Sequence, residues 1–320
     1  MFISRPKKGM DGKLLEFTAS NSRNIPLSQM WRGSWCSLIP TFGAVLDKIL
    51  QLEVRSDDVF LVTFMKSGTT WMQEMAWMLL NDLDYEQGGC LHLTQRSPFL
   101  EAQGTRPNSG NEIERCNTLS SPRLIKSHLP AYLLPQQIWE KKTKIIYVGR
   151  NCKDVIVSSY HFIKGVGYLS DSNLEDYVNH FIKNEIIYTS YWDHVLNFWK
   201  IRNEPNVFFV TYEEMMRDLQ GVIERLSEFL DKPRLKDEEM QKLLEHLSFD
   251  KMKENPQTNA TANIRSKISN VRENFQFMRR GIVGSYRDEM TPALQAKIDK
   301  WSAEKLSEHG LTEEDIFGKL

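Results

Sequence analysis

The loop Lys66-Ser67-Gly68-Thr69-Thr70 gathers a cation, three hydroxyls and a flexible glycine into one short stretch. Free backbone N–H groups at a helix start, joined to such side chains, are what holds phosphate or a similar anion. The same residues also fit an ordinary polar strand-to-helix turn. Lys126-Ser127-His128 sets a cation and an imidazole two residues apart, so on a strand end both can face one side. A histidine near neutral pKa can take the proton of an attacking hydroxyl, and a histidine in that place can also simply cap a turn. Farther along, Arg150 follows an apolar run, and Phe277-Met278-Arg279-Arg280-Gly281 carries adjacent arginines. These suit a bidentate grip on phosphate, or a solvated charge pair.

Positioning these residues calls for strands that end where the cations begin. Residues 59–64 are largely β-branched or aromatic, the pattern of an interior parallel strand. Behind the loop, Trp71, Met75, Met78 and Leu79 recur at helical spacing, and Thr70 with Gln73 has the form of a capping box. Further strands are expected at 123–126, 144–148 and 207–211. Helices are expected at 136–141, 153–164, within the aromatic-rich 173–202, from Met215 through Leu226 to Phe229, at 237–247 and at 292–306.

Residues 1–50, with Trp31, Trp35 and Phe42, show no clear period and read as an irregular segment over the core. Residues 81–121 read as loop-rich, with turns at Gly88-Gly89 and at Pro107-Asn108-Ser109-Gly110 around the apolar island Pro98-Phe99-Leu100. Residues 250–280 lose periodicity over a length that is uncommon outside a lid or binding loop. No repeat and no linker divides the 320 residues, so one domain over 1–320 is expected. Strands alternating with helices predict an α/β fold, a central and mostly parallel β-sheet with helices on both faces. Ligands bind beyond the carboxyl ends of such strands, and those ends present Lys66, Lys126 with His128, Arg150 and Tyr212.

A net charge of -1 excludes a general nucleic-acid binder. No apolar run of about 18 residues is present to span a bilayer. Charges near the N-terminus stand where a signal peptide would be apolar, so a cytoplasmic protein is expected. The four cysteines, Cys36, Cys90, Cys116 and Cys152, are far apart and read as reduced thiols rather than a zinc site or disulfide framework. Without a secretory signal, Asn259-Ala260-Thr261 reads as a chance match to the N-glycosylation pattern. A magnesium-dependent nucleotide enzyme would place an Asp at a strand end, and only Glu213 and Glu214 beside Tyr212 come near that. The lysine precedes the glycine instead of following it, unlike the GxxxxGK[ST] loop. An anion neutralised by protein cations, with no metal, fits better.

In this order these motifs resemble those of the cytosolic sulfotransferases, with a spelling nearest the arthropod members, over about residues 57–301. The resemblance implies the P-loop-kinase-like sulfotransferase fold, with 3′-phosphoadenylyl sulfate (PAPS) as donor and PAP as product. It implies that Lys66, Ser67, Gly68, Thr69 and Thr70 hold the 5′-phosphosulfate, Lys66 steadying the bridging oxygen. It assigns Lys126 as a transition-state cation and His128 as catalytic base. Arg150 and Ser158, with Arg279, Arg280, Gly281 and Gly284, would bind the 3′-phosphate, and residues 250–281 would form a nucleotide-covering loop. Trp71, Tyr212 and Phe249 would hold the adenine. Phe99, and Phe162 with His161, match positions near the acceptor, although Phe162 also fits core packing.

Phe64 and Met65 depart from the Tyr and Pro of many members, and Leu247 from a Thr beside the adenine. The family's dimer segment appears as residues 287–296, keeping a cation and Thr291 but with Pro292 and Ala296 where Val and Glu belong, so a homodimer is possible but its usual motif is degraded. The implied reaction is in-line sulfuryl transfer to a small hydrophobic hydroxyl-bearing acceptor such as a phenol, steroid or retinoid. Elimination through a sulfated intermediate, as in retinol dehydratases, and a non-catalytic binder of nucleotide or hydrophobic ligand are the rival readings.

Overall fold

The computed structural model describes residues 2–10, 12–19, 34–105, 110–169 and 172–319. Two sheets form among them. In the smaller, β1 (Phe2–Lys8), β2 (Lys13–Ala19) and β3 (Cys36–Leu38) pair antiparallel. In the larger, β4 (Val59–Thr63), β5 (Leu124–Ser127), β6 (Lys144–Gly149) and β7 (Val207–Thr211) are parallel, in the order β5-β4-β6-β7.

The pleat of β4 explains its unbroken apolar sequence. Val59 and Leu61 face one core cluster, with Met72, Met75, Leu226 and Leu243, while Phe60 and Val62 face the other, with Val155, Tyr191 and Val195. Both faces are covered, so no polar side alternates. After β4 the chain steps to β5 on one side and then crosses to β6 on the other. A crevice therefore opens beyond the ends of β4 and β6.

The helices behind the site start at readable caps. Asn151 accepts from Asp154 N at the head of the Cys152–Gly165 helix, and Thr291 accepts from Leu294 N with Pro292 in the first turn of Pro292–Ser307. The Thr70–Gln73 capping box does not form. The Thr69–Leu80 helix takes Gly68 as its N-cap in the left-handed region (φ 97°), and Gln73 is buried, donating to the Ser97 carbonyl.

Several expectations change. Residues 1–50 are not irregular as a whole. The β1 strand is largely exposed and carries no alternation to read, and only its pairing with β2 defines it. Trp31 and the turn residues 107–109 lie outside the described residues. The stretch read as one helix from Met215 to Phe229 is two, Tyr212–Arg217 and Leu219–Phe229. They are broken at Asp218, whose side chain caps the second. The aromatic-rich 173–202 yields Leu174–Ile182 and Tyr191–Lys200.

Residues 81–121 hold short helices, among them Tyr85–Cys90 and Glu112–Thr118. Residues 250–280 contain Phe249–Glu254 and Thr261–Lys267, too short to show a period. A small cluster of Val166, Ile264 and Phe275 packs the second of them. Asn259 forms a local turn, its Oδ1 accepting from Thr261 N and Oγ1. The cysteines are free thiols, all but Cys90 buried. No helix among the described residues is long and apolar enough to cross a membrane.

Candidate functional site

The anion loop leaves β4 with two residues in the left-handed region, Lys66 (φ 69°) and Gly68 (φ 97°). A Cβ at Gly68 would meet the Tyr212 ring at 2.7 Å, so glycine serves here for both conformation and space. At this helix start the Thr69 and Thr70 amides have no intrahelical acceptor, whereas Trp71 N already donates to the Gly68 carbonyl at 3.1 Å. Lys66 Nζ lies 4.4 Å from the Phe277 ring centroid and 4.8 Å from that of Phe162. Burial first, then Arg150, Lys126 and Arg279, push its pKa down to about 7. Cations crowded into a dry place favour an anionic ligand.

His128 stands just past β5 and is buried. Its Nδ1 is 2.9 Å from the Thr63 carbonyl oxygen, which can only accept, so Nδ1 carries the hydrogen and Nε2 the lone pair. The phenyl ring of Phe99 and the phenol ring of Tyr188 stand edge-on to the imidazole, at 5.2 and 5.6 Å. Burial, then Lys126, hold the imidazole well below its ordinary pKa, so it is neutral at pH 7. Thr63 Oγ1 also joins Thr69 Oγ1 at 2.7 Å, linking the base to the anion loop. Behind it, His194 Nε2 donates to the His128 carbonyl.

Glu101 is the residue that sequence reasoning missed. It is fully buried, its carboxylate accepting from Ser127 Oγ and from the His128 amide. A parallel bridge joins Phe99 to Lys126, with Leu100 N donating to Lys126 O. One short segment thus sets Phe99, Lys126 and His128 relative to each other. An acid in a polar, loop-rich stretch gave no periodic signal that could have found it.

On the β6 side, Arg150 donates to the carbonyls of Lys66 and Ile282 and stacks 4.2 Å from the Tyr212 ring centroid. Its Nε, buried, has no hydrogen-bond partner among the described residues, nor has Ser67 Oγ. Glu213 is committed to Asn151, and no group of His, Cys, Asp or Glu among the described residues is placed to hold a metal ion.

A cavity of about 730 Å³ joins these parts. Lys66, Gly68, Thr69, Thr70, Trp71, Phe99, Lys126, His128, Arg150, Ser158, Phe162, Tyr212, Phe249, Arg279, Arg280 and Gly281 all line it. Ser67 lies buried behind the wall, and His161 turns away to Glu289. Trp71 meets Tyr212 edge-on at 5.6 Å, and Leu247 and Phe249 also line the cavity. An apolar part of the wall comes from Met10, Leu14, Ile39, Ile186 and Tyr188, supplied in part by the N-terminal hairpin, and the Tyr188 ring is 5.6 Å from that of His128. The orphaned donors and crowded cations fit a polyphosphorylated nucleotide, and the apolar wall fits an apolar molecule.

The family model of the sulfotransferase domain matches residues 56–310, and the chain belongs to that family. It is a PAPS-dependent sulfotransferase, transferring a sulfuryl group to a hydroxyl acceptor. Among its relatives, luciferin sulfotransferase of Photinus pyralis is 38% identical over 289 residues, covering 84% of this chain and 77% of that one. Sulfotransferase 1E1 of Bos taurus is 38% identical over 265 residues, 82% and 88% of the two chains. In three dimensions the chain is similar to retinol dehydratase in complex with retinol and PAP. The TM-score is 0.82 at 25% identity, over 97% of this chain and 98% of that one.

Proposed function

We propose that the acceptor is a small hydrophobic alcohol or phenol and that His128 is the general base. The observation that carries this is the Nδ1 hydrogen bond to Thr63, which leaves a neutral Nε2 lone pair on a residue that lines the cavity together with Lys66, Lys126 and the apolar rings of Phe99 and Tyr188. Lys66, Lys126 and the first-turn amides at Thr69 and Thr70 then neutralise charge that grows on the transferring group and the departing phosphate. PAPS supplies the sulfuryl group. Arg150, Ser158, Arg279 and Arg280 hold its 3′-phosphate. Trp71, Tyr212 and Phe249 enclose its adenine, while Phe99 and Phe162 border the acceptor.

Transfer of radiolabelled sulfate from PAPS across a panel of phenols, steroids and retinoids tests the reading. Sulfate esters of apolar acceptors are expected, with turnover lost in His128→Ala. Activity confined to charged or strongly polar acceptors would overturn the acceptor class. The likeness to retinol dehydratase along nearly the whole chain favours one further reading, elimination of sulfate from an allylic sulfate ester. Product mass separates the two, since a dehydrated polyene has lost the oxygen that a sulfate ester keeps.

A further inference from the structure

The Cys152–Gly165 helix carries Asp154, Ser158 and His161 at spacings of four and three residues, which puts them on one face. That face meets the returning C-terminal loop at two places. Asp154 accepts from Gly284 N, Ser285 Oγ and Tyr286 N, fixing the backbone just beyond Gly281. One turn past Ser158, His161 Nε2 pairs with Glu289 Oε2, while Glu289 Oε1 receives Arg279 NH1 at 2.5 Å. Both carboxylate oxygens of Glu289 are therefore engaged. Burial pushes this carboxyl up, but His161 and Arg279 outweigh it and hold the group below its usual range.

We propose that His161 and Glu289 are positioning residues that aim Arg279 at the donor's 3′-phosphate. The inference rests on the reading that Arg150, Ser158 and Arg279 hold that phosphate. Glu289 grips the guanidinium by NH1 alone, so Nε and NH2 stay available while Arg279 faces the cavity. A long side chain held in place before the ligand arrives loses less freedom on binding. His161 ties Glu289 to the helix that bears Ser158, so arginine and hydroxyl are set from one rigid element. Arg280 has a comparable partner in Asp288, but that pair is more exposed, at 34% and 60%, and is a weaker constraint.

The test is calorimetric binding of two probes to the full chain: PAP, and adenosine 5′-phosphate, which lacks the 3′-phosphate. Wild type should prefer PAP. Glu289→Gln should weaken PAP about tenfold, the worth of a charge-assisted hydrogen bond, and leave adenosine 5′-phosphate unchanged. His161→Leu should act in the same direction, His161→Gln should restore most of the preference through its amide donor, and Asp288→Asn should keep it. Tighter PAP binding by Glu289→Gln would make Glu289 a competitor of the phosphate and overturn the proposal. An unchanged preference, or an equal loss for both probes, would overturn it too. Absence of any preference in the wild type would instead sink the underlying reading of the 3′-phosphate site.

Discussion

The Nδ1 atom of His128 lies 2.9 Å from the carbonyl oxygen of Thr63, and the hydrogen between them decides which imidazole nitrogen is basic. The contact holds the ring in one tautomer, and its acceptor, Thr63, is the last residue of the strand that launches the anion loop. His128→Ala should lower kcat/KM by about 10²–10⁴ while PAP binding stays within twofold or so, because the donor side keeps its ligands. Normal turnover by this variant would remove His128 from the mechanism.

Burial and the neighbouring Lys126 depress the His128 pKa, so protonation in the free enzyme comes later on acidification than for an ordinary imidazole. The acid limb of the kcat/KM profile should fall below pH 6.5, with Lys126→Met moving it upward. A limb at or above 6.5 in wild type would assign the titration to another group.

Lys66 titrates near 7 in the folded chain, against an ordinary value of 10.5. Between those values the unfolded chain binds more protons, so this residue's unfavourable contribution fades as pH rises through the window. Lys66→Met should therefore raise the melting temperature of the unliganded protein at pH 7, by roughly 1.5 °C, which corresponds to about 1 kcal/mol for a chain of this length. The same change should abolish sulfuryl transfer. Donor phosphates should draw a proton onto Lys66, and calorimetry at pH 8 in buffers of different ionisation enthalpy should show net uptake on PAP binding.

Glu101 is pushed up to about 7 by burial, against the countering pull of the His128 amide and the Ser127 hydroxyl. Its folded pKa exceeds the ordinary 4.5, so the folded state holds the extra proton between these values and stability falls as pH rises through that window. Glu101→Gln should flatten this slope in melting curves taken from pH 4.5 to 7. Glu101→Ala strands two buried donors and should cost about 2 kcal/mol, with turnover lost because Lys126 and His128 ride on the freed strand end.

Gly281 sits at φ 67°, and a Cβ there would lie 2.2 Å from the Phe249 ring. Gly281→Ala should weaken PAP about tenfold, combining left-handed strain of ~1–2 kcal/mol with displacement of the Phe249 ring that lines the cavity. Gly110→Ala also places alanine at positive φ, but in open space, and should leave PAP affinity alone.

The parallel sheet was legible because β4, β6 and β7 are buried on both faces and spell continuous apolar runs, and the cations that follow β4 and β6, Lys66 and Arg150, marked the crevice. Where elements are short or exposed, legibility failed. β1 has no buried face to alternate, Thr261–Lys267 is too short for a period, and Asp218 interrupts an apolar spacing that runs on as though one helix continued. Leaving Gln73 to cap its own helix was a local inference that a buried contact with Ser97 overrode.

By itself the sequence determined the chemical inventory of the site: which residue types follow which strands, and hence a cationic cradle beside a histidine. Tertiary structure decided what those groups are. The Thr63 carbonyl fixes the His128 tautomer, and packing around Lys66 brings its ammonium near neutrality. Glu101 and Glu289 become structural partners of residues far from them in sequence. Hydrogen-bond direction and desolvation depend on atoms that only folding brings within a few ångströms, and no spacing along one chain encodes them.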